Sequence, residues 1–319
     1  MPKLRRTQTL YVTLDPFLSP RGKVLHHFDQ FLEGIYESEF PCIWLTSLTR
    51  AQLDEPRRRL GHNDPFIGES GCGVYLPEDY FHLKSGDTIR LGRFTCIPVA
   101  KPQPAASEAL DDLASELDMS VVPLRGLSQR ELSQNTGLPE SEAELMRMRD
   151  FDELFFFAGA SEADIEKFLA EAKVRNLALK SLGAFWSLSV GGDLSKCIRE
   201  LGALYDRALR AHVLRVGIAV GPGTDSSGPA SDDPTVRALS ASCDRTLLIA
   251  ERQSPADSEP DEDDSDDSED EQEDEQEDEQ EGQTVLVTEP RPALRSQTTF
   301  QLYSPDLWEE VLSTIFAKP

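Results

Sequence analysis

Positive charge is scarce in this chain. Its 319 residues carry 32 lysines and arginines against 58 acidic residues, a formal net charge of -26. No basic stripe is available to neutralise phosphates, which argues against nucleic-acid binding. Long apolar runs are also missing, and none approaches the ~20 residues that span a membrane. Residues 1–6 are basic, but the apolar run at 10–14 is far too short for the hydrophobic part of a secretory signal. The five cysteines, Cys42, Cys72, Cys96, Cys197 and Cys243, are scattered, with no Cys-x-x-Cys pair and no Cys/His cluster to bind zinc. An odd count without a signal favours a reducing compartment. Cys42 and Cys197 lie in apolar patterns as small core residues. A soluble, cytoplasmic protein is expected.

What the chain has in excess is acid, and most of the excess is local. Residues 257–281 hold 18 Asp or Glu and no Lys or Arg, which leaves 40 acidic against 32 basic residues elsewhere, a net of -8. Within the tract, Glu269-Asp270-Glu271-Gln272 repeats at 273–276 and 277–280. Such a segment cannot bury enough apolar surface to order itself and is expected to be disordered. It reads either as a solvating linker or as a surface that recruits basic proteins, such as histones or ribosomal proteins.

The remainder alternates strands and helices. The apolar run at 10–13 is followed by Val24, Phe28, Phe31, Leu32 and Ile35 at helical spacing, then by a strand at 42–46, a βαβ unit that predicts a parallel sheet. A Pro-rich break at 98–104 opens a different middle. Helices are predicted over 105–117, 140–148 and 161–174, the last with Ser161 and Asp164 at capping-box spacing. Strands are predicted over 151–157, 176–182 and 185–190. The sheet then resumes, with Asp193 capping a helix whose Leu194, Cys197, Ile198, Leu201 and Leu204 form one face. Strands at 215–220 and 245–250, a short helix at 235–239, a strand at 284–288 and a helix from Pro305 to Phe316 complete the pattern.

At the end of the first strand stands Thr13-Leu14-Asp15-Pro16-Phe17-Leu18. It resembles the Asp-x-Asp-x-Thr-Leu motif of the haloacid dehalogenase superfamily of phosphatases. Later segments are similar, in order, to the mannosyl-3-phosphoglycerate phosphatase family of that superfamily: Glu69-Ser70-Gly71, Thr136-Gly137, Arg149-Asp150-Phe151-Asp152-Glu153, Gly183-Ala184-Phe185 and Asp193-Leu194-Ser195-Lys196. The resemblance spans most of residues 9–250. It implies an α/β fold, a Rossmann-like parallel sheet core with an inserted α+β cap. Residues 1–98 and 191–250 would form the core, 99–190 the cap, 251–283 the disordered tract, and 284–319 the core completion and terminal helix.

The same resemblance implies magnesium chemistry on a phosphorylated sugar or glycerate, and it shows where this chain departs from the pattern. Thr13 stands at the place of the attacking carboxylate and Asp15 at that of the general acid-base. A threonine hydroxyl is a poor nucleophile without a base, and it cannot supply the anionic oxygen that magnesium expects. The alternative register makes Asp15 the nucleophile, and a third reading makes Asp15-Pro16 a turn. Thr46 and Ser47 fall where a phosphate-binding hydroxyl is expected, or where a helix cap would sit. Leu194 takes the place of the phosphate-holding lysine, and Lys196 matches a second lysine or is a solvated helix residue. Arg149 matches a substrate-facing arginine of the cap or lies on the surface. Asp15 and Asp233 would be the metal ligands; Pro222 replaces the first aspartate of the distal loop, for which Asp225 or Asp232 could substitute. The leading expectation is therefore a phosphatase relative weakened or inactive in catalysis that keeps phosphosugar or partner binding. The alternatives are an active magnesium-dependent phosphatase and an interaction protein acting through residues 257–281.

Overall fold

A computed structural model describes residues 8–19, 22–81, 87–222, 233–251, 297–304 and 306–317. The acidic tract, the strand expected at 284–288, and Asp225, Asp232 and Pro305 lie outside the described residues. Among those that are described, no helix is long and apolar enough to cross a membrane.

Strand β1 (Gln8–Thr13) is buried along its whole length, as a strand covered on both faces of a parallel sheet must be. Helix α1 (Phe28–Ser38) buries Phe28, Phe31, Leu32 and Ile35. The sequence pattern placed its start near Val24, and the structure corrects this. His26 and His27 are left-handed, at φ 52° and 53°, and cannot continue a right-handed helix. Val24 instead bridges Leu18.

Next come β2 (Cys42–Leu45), α2 (Arg50–Arg59), β3 (Phe66–Gly68), β4 (Gly73–Pro77), β5 (Ile89–Leu91) and β6 (Phe94–Pro98). Thr49 caps α2 in a capping box with Gln52. Its hydroxyl also donates to the Leu145 carbonyl at 2.9 Å, across 96 residues of chain. Thr49→Ala removes both, and we expect a loss of about 1–2 kcal/mol in urea unfolding.

The middle of the chain builds a second sheet. Helix α3 (Gln103–Glu116) leads to β7 (Val121–Pro123), α4 (Gln129–Thr136), α5 (Glu140–Arg147), β8 (Asp152–Phe157), α6 (Glu162–Val174), β9 (Leu177–Leu182) and β10 (Phe185–Val190). The four strands pair antiparallel in the order β7-β8-β10-β9. Leu110 and Leu113 of α3 and Phe168 of α6 pack with Phe155 and Leu188 of that sheet. Ser161 and Asp164 form the capping box read from the sequence.

The chain then returns to the first sheet through α7 (Leu194–Leu209), β11 (Leu214–Pro222), α8 (Pro234–Ser242), β12 (Arg245–Glu251), β13 (Gln297–Gln301) and α9 (Leu307–Phe316). The strand order is β13-β12-β11-β1-β2-β3-β4-β6-β5. Pairing is parallel from β13 to β3 and antiparallel beyond. Alternate residues of the central strands serve opposite faces. Leu10 and Val12 pack with α1 and α9, while Tyr11, Ile43 and Leu45 pack with α7 and α8.

Candidate functional site

In an open parallel sheet the side chains that follow the carboxyl ends of neighbouring strands converge on one crevice. Here the ends of β1, β2 and β11 and the starts of α7 and α8 meet around a crevice of about 140 Å³, whose lining includes Thr13, Asp15, Thr46, Lys180, Leu194 and Asp233. The turn that carries Asp15 is fixed from below. Phe17, two residues on, stacks on Phe28 at 4.7 Å and meets Trp308 edge-on at 5.3 Å. The Trp308 indole N–H donates to the His26 carbonyl at 2.6 Å.

Thr13 is nearly buried in the seam between β1 and β11. Its hydroxyl donates to the Ile218 carbonyl at 3.4 Å and accepts the Val220 N–H at 3.3 Å. The Asp15 carboxylate accepts the Thr46 hydroxyl and the Ser47 N–H, the latter at 2.9 Å. Thr46 therefore spends its proton on Asp15, and its oxygen accepts the Leu48 N–H at 3.1 Å. Asp233 caps α8 by accepting the N–H groups of Thr235 and Val236 at 2.6 and 3.1 Å.

Arg149 and Lys196 are placed elsewhere. The Arg149 guanidinium is buried in an ion pair with Asp152 and donates to the Ser47 carbonyl at 2.7 Å. Its contact with the crevice is thus indirect, through the loop that holds Asp15. Lys196 is exposed on α7, where its backbone N–H is capped by Asp193 at 3.0 Å, and it does not line the crevice.

Two features shape the site in ways the sequence reading did not assign: the segment Glu69-Ser70-Gly71 was singled out there only for its resemblance, and Lys180 was not singled out. The turn Glu69-Ser70-Gly71 is left-handed at three successive residues, with φ of 48°, 57° and 98°. A Cβ on Gly71 would lie 2.6 Å from the Leu194 nitrogen, so the first turn of α7 can approach only a glycine there. The turn is secured by the buried Glu69 carboxyl, which accepts the N–H groups of Asp150, Phe151 and Asp152 at 2.9, 2.8 and 3.2 Å. Burial, followed by the nearby Asp152 charge, pushes the Glu69 carboxyl up to about 8. The second feature is Lys180 of β9, whose ammonium donates to the Thr235 hydroxyl at 3.3 Å. Lysine in an otherwise apolar strand segment, Leu177-Ala178-Leu179-Lys180, was the available signal.

The crevice offers oxygen donors, and two of them are carboxylates, Asp15 and Asp233. Among the described residues no three His, Cys, Asp or Glu side chains gather to hold a metal. A set of two carboxylates fits magnesium, which commonly takes one or two protein carboxylates and completes its octahedron with water and substrate phosphate. It does not suit a softer metal.

No family profile matches the chain. It is 26% identical over 174 residues to a glucosyl-3-phosphoglycerate/mannosyl-3-phosphoglycerate phosphatase of Methanococcoides burtonii, covering 54% of this chain and 64% of that protein. It is 23% identical over 207 residues to a protein of the same name from Persephonella marina, covering 62% and 74%. The chain thus spans a little under two thirds of the first relative's length. Among solved structures, a phosphatase of the haloalkanoate (HAD) enzyme superfamily from Bacteroides thetaiotaomicron is 17% identical with a TM-score of 0.48, covering 77% of this chain and 86% of that one.

Proposed function

We propose that this chain, similar to the glucosyl-3-phosphoglycerate/mannosyl-3-phosphoglycerate phosphatases, is a relative of theirs that binds a phosphorylated sugar or glycerate ester without hydrolysing it at an enzymatic rate. One observation carries this reading: the side chain at the attacking position is a threonine tied into the sheet. Its proton goes to the Ile218 carbonyl and its oxygen already accepts the Val220 N–H. Attack on phosphorus needs a base to take that proton. The nearest acid in sequence, Asp15, is occupied as the acceptor of Thr46 and Ser47.

The same groups serve binding. Asp15 and Asp233 would hold a magnesium ion, which when bound would offset the charge on a phosphoryl group. Thr46 and the Ser47 N–H keep the Asp15 carboxylate in one orientation. Two larger cavities flank the crevice and leave room for the rest of a ligand. One of about 420 Å³ lies between β9, β10, α7 and α8, and one of about 450 Å³ lies between α2 and the α4–α5 connection. The domain division is part of the proposal: a core of residues 1–98, 191–250 and 284–319 with 99–190 as the cap that closes over it.

Phosphate release and calorimetric binding, measured side by side with magnesium present, test the reading. Mannosyl- and glucosyl-3-phosphoglycerate are the first ligands to use. We expect binding heat, with turnover at least about a thousandfold below the ~10 per second common among enzymes and no different from that of Asp15→Asn. Turnover at an ordinary rate, abolished by Asp15→Asn, would overturn it.

A further inference from the structure

The crevice poses an electrostatic problem. A dianionic phosphate ester brought there joins two carboxylates, Asp15 and Asp233, and one divalent cation between them would still leave the crevice with excess negative charge. The family pattern solves this with a lysine at the start of the helix that returns to the core. In this chain that place is Leu194, which lines the crevice and carries no charge. Lys196, two residues on, is exposed and outside it.

We propose that Lys180, delivered by the cap strand β9, is the residue that holds the anionic phosphoryl oxygens, in place of the core lysine that Leu194 displaces. The proposal rests on the binding function above and deepens it. Among the described residues that line the crevice, Lys180 alone is a cation. It also lines the adjoining cavity of about 420 Å³, so it stands where crevice and cavity join. Among the described residues its ammonium makes one hydrogen bond, to Thr235 at 3.3 Å. An ammonium has three donors, so two remain for a ligand. The buried Ser70 hydroxyl oxygen, which lines both spaces, has no partner of its own.

The consequence distinguishes this chain from a core-lysine design. With the cation on the cap, anion binding draws the cap and the core together, because Lys180 of one and Asp15, Thr235 and Asp233 of the other must surround the same group. Affinity for the simplest anion then depends on a cap residue that a free-standing core would lack.

Titration of the full chain with inorganic phosphate, with magnesium present, tests the assignment by calorimetry. Lys180→Met is expected to weaken phosphate by about tenfold or more, and Lys180→Arg to keep most of the affinity. Lys196→Met is expected to change nothing beyond about twofold. Adding Leu194→Lys to Lys180→Met is expected to restore binding, because it returns an ammonium to the same crevice; this pair also guards against a variant that merely misfolds. Phosphate binding by Lys180→Met equal to wild type overturns the assignment while leaving the binding function intact. A wild-type chain that binds neither phosphate nor the phosphosugars overturns both.

Discussion

Glu69→Ala is expected to lower stability by about 3–5 kcal/mol, because it strips the acceptor from several buried backbone donors at once. Three backbone N–H groups, at 150, 151 and 152, converge on this carboxyl where the chain passes from α5 to β8. Alanine leaves all three without an acceptor, at about 1–3 kcal/mol for each donor that water cannot reach. It also frees a turn with three left-handed residues, two of them not glycine, whose strain the surrounding bonds must hold in place. Because that turn places Gly71 against α7 and opens onto the crevice, phosphate binding should weaken along with stability. Urea unfolding reads the first effect and calorimetry the second. A loss below about 1 kcal/mol would mean that the hinge relaxes to other acceptors.

The same residue sets a pH dependence whose sign follows from its raised pKa. Between its ordinary value near 4.5 and about 8 in the folded protein, Glu69 keeps its proton when folded and releases it when unfolded. The folded state then binds more protons, so stability falls as pH rises through that window and levels off above it. Below about 4.5 both states are protonated and no penalty exists. Glu69→Gln carries no titrating group, so the stability of wild type relative to Glu69→Gln should decline from pH 5 to pH 8. If the difference instead grows with pH, Glu69 is ionised and paired with Arg149.

How much of this was legible in the sequence depends on which forces fix each part. The central strands read directly because burial on both faces leaves continuous apolar runs, as in Leu10-Tyr11-Val12 and Cys42-Ile43-Trp44-Leu45. Helix α7 read from its apolar stripe and from Asp193, whose carboxylate does cap it. Helix α4 was missed because it buries one residue of its own, Leu132, and its signal lay in the cap, Ser128 and Glu131. Strand β13 was missed because Gln297-Thr298-Thr299-Phe300-Gln301 is polar and lies at the edge of the sheet.

The site divides in the same way. Thr13, Asp15, Thr46 and Asp233 were singled out through the resemblance to a family motif pattern, and because they follow strand ends or open helices the sheet brings them to one crevice. Arg149 carried two readings, substrate-facing or surface, and the structure gives a third. Asp152, three residues on, is buried with it and neutralises it. Glu69 bonds the N–H groups at 150–152 and Lys180 of β9 bonds Thr235 of α8, and contacts so distant in sequence leave no periodic trace in a single chain.

Thr13→Asp is expected to make the protein dependent on magnesium for its stability. An aspartate can still accept the Val220 N–H, but it cannot donate to the Ile218 carbonyl as the threonine does. It also adds a third carboxylate to a crevice that already holds Asp15 and Asp233. Without metal, the nearly buried charge should cost about 2 kcal/mol or more. With magnesium present, three carboxylates bind the ion more tightly than two, and a ligand that binds only the folded state raises the melting temperature. The magnesium-induced rise should therefore be several degrees larger in Thr13→Asp than in wild type, and chelation should reverse it. Restored turnover is a separate matter. Pro222 provides no carboxylate at the end of β11, so the variant is expected to release phosphate at a rate close to wild type until Pro222→Asp is added. A melting temperature for Thr13→Asp that ignores magnesium would mean that these strand ends do not form one metal site, and the binding function would then have to rest on Lys180 and the flanking cavities without a metal.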